Sequence, residues 1–499
     1  MTVSKYTKFS IFRIQKMFQL VSGYSLFIVH YPLKYYLCAE FKFQSVFRKK
    51  SIDEWALDYW LLQRYAKLAF RIYYKKITVT GLNNIPRNEA VILASNHQNA
   101  LMDAMLFVCT TEFQNIFLAR ADIFKSKLLI RVLTYLNIMP IYRIRDGIDN
   151  VKRNDEVFGK TRQVLRNKHN PLVIFPEGNH GDKRRLRNLV KGLFRIAFIA
   201  QEDYKDKPGV KIIPVGVDYG HYQNFGSTLL VNIGNPIEVC RYYGLHTENP
   251  VAAINQLKDD YTSALRELMI DIQTKEYYDL YMQLRTICND LIRNKLGLTG
   301  NSLPNRFKAD KTMIGILDQE LGDNPETLEK LNKEVTEYQS GLRKFRLRDW
   351  VLKKEKYSCL RIAVKISAMI LLLPAFIFGW IHNIIPYRFT ASRVKSIKDP
   401  QFHSSIKYVI GMVVFPIMYV LFATVLAFMN WLVWIKLIYI LLMPVTGLFA
   451  FYYYIHFRKL NAMIRYTKAV KRDDPDIKIL KKNRLFIIKQ MYMLIDKRL

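Results

Sequence analysis

The sequence predicts an α/β layered domain with a largely buried sheet, followed by a helical segment and then by membrane helices. Three observations carry this. Between about Lys76 and Val239, short β-branched runs (ITVTGL, AVILAS, NIFLAR, NIMPIYR, PLVIF, KIIPVGVD, TLLVNIG) alternate with helix-length segments such as KSKLLIRVLTYL and NLVKGLFRIAFIA, which are amphipathic. From Pro250 to about Lys356 strand signals vanish and the sequence turns charged and helical. From Ile366 to Ile385 no residue is formally charged, and from Tyr408 to Ile455 only Lys436 is; a span needs about 20 apolar residues.

Taken in order, residues 1–60 are rich in aromatic and basic residues and read as a segment on the membrane surface, with an ordinary packed helix as the alternative. The apolar stretch Tyr24–Tyr31 is short, is interrupted by His30 and is followed by no small-residue cleavage pattern, so a removable signal peptide is not expected. The α/β domain is placed at 61–245 and a helical linker or subdomain at 246–360, divided by the turn cluster Gly297–Asn305. Membrane-embedded helices fill 361–457 and a basic amphipathic tail 458–499. Basic residues stand before Ile366, after Ile385 (Arg388, Arg393, Lys395, Lys398) and after Ile455, which three crossings cannot place on one side. A hairpin of 408–429 and 431–455 turning near Asn430 can. Residues 366–385, re-entrant or spanning by length, are on this charge count re-entrant or monotopic, with Pro374 and Gly379 as the place to bend.

Lys and Arg number 76 against 42 Asp and Glu, a formal charge of +34, which calls for an anionic partner. The cations crowd the flanks of the apolar spans and no zinc-finger, RNP-type or basic-zipper pattern is present, so the expected partner is anionic membrane lipid and not nucleic acid. Cys38, Cys109, Cys240, Cys288 and Cys359 are scattered, without a C-x-x-C pair, which predicts neither a disulfide framework nor a zinc site. No G-x-G-x-x-G or P-loop string occurs, and no metal or nucleotide cofactor is expected.

Chemistry concentrates in two stretches. In SNHQNALMD, Ser95–Asp103, a histidine stands at the carboxyl end of a strand with an aspartate six positions on. At about 100° per residue these two do not share a helix face, so His97 belongs to the loop and Asp103 looks back from the helix, with Asn99 as the expected N-cap. Such a pair can serve as a base and its orienting carboxylate, or as a structural contact that fixes the loop. In PLVIFPEGNHGDKRRLR, Pro171–Arg187, a strand runs into Pro-Glu-Gly and a cluster of phosphate-seeking cations.

These residues carry a resemblance. NHQNALMD is similar to the His-(five residues)-Asp motif of yeast-type glycerol-3-phosphate acyltransferases, FPEGNH resembles the Phe-Pro-Glu-Gly block of the glycerolipid acyltransferase family, IMPIYRIRD its arginine block, and IIPVGVDYG its later strand block with Pro214. The four blocks stand in family order over roughly Asn84–Pro236. The sequence departs from the pattern where Asn179 and His180 replace the usual Ser or Thr, and in its long carboxyl-terminal extension. The resemblance implies a mixed sheet flanked by helices, with His97 and Asp103 catalytic. It implies that Arg143, Glu177 and Gly178 bind the acceptor, with Arg120 and Arg184 as further candidates.

The expected function is a membrane-bound O-acyltransferase. It would move a fatty acyl group from acyl-coenzyme A or acyl carrier protein to glycerol 3-phosphate or 1-acylglycerol 3-phosphate (lysophosphatidate), in phospholipid synthesis. The catalytic domain would face the cytoplasm, at a bacterial inner membrane or the endoplasmic reticulum. The alternatives are another lysophospholipid or head group as acceptor, or a lipid-binding member of the fold without catalysis.

Overall fold

The computed structural model describes residues 57–124, 126–142 and 154–498. The expectation for residues 1–60 therefore lies almost wholly outside the described residues. Helix α1 (Leu57–Tyr73) leads into β1 (Lys76–Thr80), β2 (Ala90–Ser95), α2 (Leu101–Thr110), β3 (Ile116–Arg120), α3 (Lys127–Tyr135) and β4 (Ile138–Ile141). Then come α4 (Asn154–Asn167), β5 (Leu172–Ile174), α5 (Gly192–Gln201), β6 (Val210–Tyr219), β7 (Thr228–Ile233) and β8 (Ile237–Glu238). All seven β-branched runs form strands. Among the described strands only the two-residue β8 has no run of its own.

The sheet is mixed, in the order β1-β7-β6-β2-β5-β3-β4. Strands β6, β2, β5, β3 and β4 run parallel, while β7 and β8 both pair antiparallel to β6. Pro214 lies inside β6 and donates no N–H. It is tolerated because β8 pairs at Lys211 and Ile212 and β7 from Val215 onward, so the missing donor falls between the two partners. Every residue of β2 is buried, as expected of a parallel strand covered on both faces. Ala90, Ile92 and Ala94 enter a core with α4, α5 and the helix Pro250–Leu268, while Val91 and Leu93 enter a second core with α1 and α2.

Helix α6 (Pro250–Leu268) lies in the span that the sequence reading assigns to a separate helical segment, but it covers the sheet. Ala253, Leu257, Tyr261 and Leu265, spaced by four, form one buried stripe against it. The helices α7 (Tyr278–Lys295), α8 (Leu303–Asp323) and α9 (Pro325–Lys344) build a separate core. Two further helices, α10 (Cys359–Leu371) and α11 (Leu373–Lys395), bend by 53° at Leu372, next to Pro374 and not at Gly379. Gly379 serves a different purpose: a Cβ there would stand 2.1 Å from the Thr446 carbonyl oxygen of a neighbouring helix.

Helices α12 (His403–Ala427) and α13 (Val433–Lys471) form a hairpin whose turn, Phe428–Leu432, contains Asn430. These are two helices long and apolar enough to cross a membrane, or three if the α10–α11 pair counts as one span. Lys436 lies at the hairpin tip, its Nζ donating to the Ala427 carbonyl at 3.1 Å. α13 runs unbroken past 458, so the boundary drawn there is no structural break. Tyr466 is wholly buried and donates to the carbonyls of Lys354 and Glu355. With α14 (Pro475–Arg498), which supplies Ile477, Leu480, Ile487, Met491 and Leu494, the tail completes the core of α7–α9.

Candidate active site

Strands β6, β2, β5 and β3 end at one edge of the sheet, the edge where α/β proteins gather their ligand sites. His97 follows β2, Glu177 and Gly178 follow β5, Arg120 ends β3 and Tyr219 ends β6.

The His97 ring stacks on Phe175 at 4.4 Å between centroids, and its Nδ1 lies 2.8 Å from Asp103 Oδ2. A carboxylate only accepts, so Nδ1 carries a proton, and in the neutral ring the lone pair is then on Nε2. Asp103 is 0% exposed. Its Oδ2 also accepts from the N–H groups of Gln98 (2.8 Å) and Asn99 (2.7 Å), and its Oδ1 accepts from the Tyr219 hydroxyl at 2.5 Å. These donors replace the water a buried carboxylate loses. Burial and the Asp103 charge hold the Tyr219 phenol well above its ordinary range, so it stays a donor.

The turn from β2 into α2 differs from the sequence expectation. Ala100 occupies the N-cap position at φ +43° with no side-chain cap, and Asn99 is not the cap. The Asp103 carboxylate draws the Gln98 and Asn99 N–H groups inward, while the Asn99 side chain bonds elsewhere: its Nδ2 donates to the Tyr222 carbonyl and its Oδ1 accepts from the Ser404 hydroxyl.

Glu177 connects the two motifs. Its Oε1 accepts from the His97 N–H at 2.8 Å and its Oε2 from Arg187 Nε at 2.8 Å. Burial nonetheless pushes the Glu177 carboxyl above its ordinary value, the two donors pulling the other way. Gly178 stands at φ +66°, in the left-handed region that glycine adopts freely, and its N–H closes the turn onto the Phe175 carbonyl. Gly181 N–H then donates to the His97 carbonyl at 3.0 Å, joining the two loops.

The structure thus brings together His97, Asp103, Glu177 and Gly178. Arg120 sits at the rim, its Nε on Asp122 at 3.0 Å and its Nη1 on Asn179 Oδ1 at 3.3 Å. Arg184 turns into the protein: its Nε bonds Asp218 at 2.8 Å and its Nη2 the Tyr219 carbonyl. Arg185 likewise bonds the carbonyls of Ile272 and Thr274. Arg143 lies outside the described residues. Arg187, with its side chain 33% exposed, is the member of the basic run that reaches the Glu-Gly turn.

Sequence reasoning counted Arg187 only as one of the phosphate-seeking cations after Pro-Glu-Gly, and it passed over Tyr219 and Phe175, although both stand inside quoted motifs. Asp399, Phe402 and Ser404 gave no local signal. The His180 ring lies edge-on to His97 at 5.6 Å and to Phe402 at 4.8 Å, and its Nε2 is 3.4 Å from Asp399 Oδ2. Burial and the nearby His97 lower the His180 pKa below its ordinary value.

Residues 76–218 match the family model described as Acyltransferase. This stretch is an acyltransferase-family domain. Over 281 residues the chain is 23% identical to the glycerol-3-phosphate O-acyltransferase 1 of Saccharomyces cerevisiae, a stretch covering 52% of this chain and 36% of the yeast protein. Over 215 residues it is 24% identical to a 1-acyl-sn-glycerol-3-phosphate acyltransferase of Borreliella burgdorferi, covering 43% of this chain and 78% of that one. The chain therefore spans about a third of the length of the yeast relative. Among solved structures it resembles the 1-acyl-sn-glycerophosphate acyltransferase of Thermotoga maritima, at 20% identity and a TM-score of 0.28, over 40% of this chain and 78% of that one. The acyltransferase-family domain holds the paired histidine and aspartate, the Glu-Gly turn, Arg120 and Asp218.

Proposed function

We propose that the chain is a membrane-bound O-acyltransferase that transfers a fatty acyl group from a thioester donor to glycerol 3-phosphate or 1-acylglycerol 3-phosphate. The observation that carries this reading is the 2.8 Å contact of His97 Nδ1 with the buried Asp103 carboxylate inside an acyltransferase-family domain. The Nε2 lone pair takes the proton of an acceptor hydroxyl as its oxygen attacks the thioester carbonyl. The tetrahedral intermediate collapses, the carbon–sulfur bond breaks, and the imidazolium returns the proton to the leaving thiolate, giving ester and thiol. The reading needs no acyl-enzyme and no resident cofactor.

Arg187, aimed by Glu177, and Arg120 are the described cations placed to meet the acceptor phosphate, and Arg143 remains a proposed ligand from the family motif. Backbone N–H groups near the Gly178 turn or at the helix amino end would meet the oxyanion; the Gly178 N–H itself bonds the Phe175 carbonyl, which favours the helix amino end at Ala100–Leu101. The two apolar helices support attachment to a membrane, with the catalytic face toward the cytoplasmic leaflet and its anionic lipid. Both ends of the hairpin meet the rest of the chain on one side, since Ser404 touches the His97 loop and Tyr466 the helical core, and the basic residues flanking the spans favour the cytoplasm for that side.

The test is acyl transfer by the purified full chain in detergent, with labelled acyl-coenzyme A and acyl carrier protein offered against both acceptors. Wild type forms product from one of them, and His97→Ala loses roughly 100-fold or more of kcat. Product formation undiminished in His97→Ala would refute the base, and no product from any combination would refute the reaction.

A further inference from the structure

The segment Asp399–Tyr408, where the apolar hairpin begins, lies across the loops of the candidate active site. Ser404, 0% exposed and 305 residues from its partner, donates its hydroxyl to Asn99 Oδ1. Asn99 is itself wholly buried; its N–H is one of the Asp103 donors, and its Nδ2 holds the Tyr222 carbonyl at 3.2 Å. Lys407 Nζ donates to the Gln223 carbonyl at 2.8 Å, in the same loop as Tyr222. Asp399 and Phe402 meet His180 on the Glu-Gly loop. Farther along, the Tyr408 hydroxyl donates to the Ala66 carbonyl of α1 at 2.7 Å. One short segment thus touches the loops after β2, after β5 and after β6.

The physical consequence concerns His97. Its loop departs from β2 through Ala100 at φ +43°, a conformation an alanine adopts only when its surroundings impose it. Asp103 restrains that loop from within. The Asn99 side chain restrains it from outside, its Nδ2 on the Tyr222 carbonyl and its Oδ1 held by the Ser404 hydroxyl. A buried amide with both ends bonded has one orientation, whereas one that loses its donor can turn over.

We propose that Ser404 is a positioning residue for the proposed acyl transfer, fixing the His97 loop through Asn99, so that docking of the membrane hairpin sets the catalytic base. The inference rests on the acyltransferase reading for its kinetic arm. Its structural arm, loop order, is independent of any reaction.

The experiment uses the full chain in lipid nanodiscs. Wild type, Ser404→Ala, Ser404→Thr, Asn99→Ala and the Asn99→Ala/Ser404→Ala double variant are compared for kcat, acceptor KM, and hydrogen exchange of the peptide carrying Gln98–Ala100. Ser404→Ala should lose roughly tenfold in kcat, with acceptor KM and unfolding midpoint unchanged and faster exchange confined to that peptide. Ser404→Thr should restore both, and the double variant should be no worse than Asn99→Ala alone. Wild-type kcat and exchange in Ser404→Ala, or losses that multiply in the double variant, would overturn the inference. Should Ser404→Ala not fold, Asn99→Ala carries the comparison on the same Gln98–Ala100 peptide, and wild-type kcat and exchange there would overturn the inference. An inactive wild type would count against the acyl-transfer reading alone, because the exchange comparison still decides whether Ser404 orders the loop.

Discussion

The Tyr219 hydroxyl donates to Asp103 Oδ1 at 2.5 Å across 116 residues of chain, so the end of β6 supplies a donor to the carboxylate that orients His97. Tyr219 is wholly buried and packs in the same core as Phe70, Tyr74 and Leu106. Tyr219→Phe keeps the ring and its packing and removes only the donor. It should cost about 1–3 kcal/mol of stability, the penalty of a buried acceptor left short of a partner. The same change should lower kcat by roughly 10-fold through a less firmly held Asp103. Thermal unfolding and steady-state kinetics on the purified chain check both. Unchanged kcat with lowered stability would limit Tyr219 to a packing role.

Glu177 makes a prediction about pH. Burial raises its carboxyl above the ordinary value of 4.5 in the fold. Below pH 4.5 the group is protonated in both folded and unfolded chains. As pH rises through the window up to the raised folded value, the unfolded chain gives up its proton first, so the stability this group contributes falls. Glu177→Gln removes that titration. The difference in unfolding midpoint between variant and wild type should therefore move in the variant's favour from pH 4.5 toward neutral pH, while kcat drops because the amide cannot accept from both His97 N–H and Arg187. A difference moving the other way would mean that the Arg187 pair outweighs burial.

Gly379 and Gly447 allow two apolar helices to meet closely. A Cβ at Gly379 would stand 2.1 Å from the Thr446 carbonyl oxygen, and one at Gly447 2.5 Å from the Asn383 side chain. Gly379→Val should push α11 from α13 and destabilise the protein by about 1–3 kcal/mol or more. Gly411→Ala, in α12 with nothing within 4 Å, should leave the unfolding midpoint where it was or raise it. Equal midpoints for Gly379→Val and Gly411→Ala would refute the close approach.

The distribution of legible and illegible features follows the range of the forces that create them. AVILAS and KIIPVGVD read as strands because a strand covered on both faces carries a near-continuous apolar, β-branched run. His97 and Asp103 were legible because six residues bring them together around one turn. The stripe Ala253, Leu257, Tyr261, Leu265 was visible as a helix, but nothing in its own periodicity says whether a sheet or a helical bundle receives it. Arg184 and Arg187 stand three residues apart in one basic run and look interchangeable there. Asp218 draws the first inward and Glu177 draws the second to the site.

By itself the sequence determined the local terms: strands and helices from hydrophobic period, apolar segments from their length and lack of charge, and the His-Asp and Glu-Gly motifs from spacing. Tertiary structure decided which separate segments became one unit. It alone placed Tyr219 on Asp103, Ser404 on Asn99, and the carboxyl-terminal tail inside the helical core. The reason is that a hydrogen bond or a packed side chain acts over a few ångströms of space whatever the distance along the chain, and only the folded backbone sets that space.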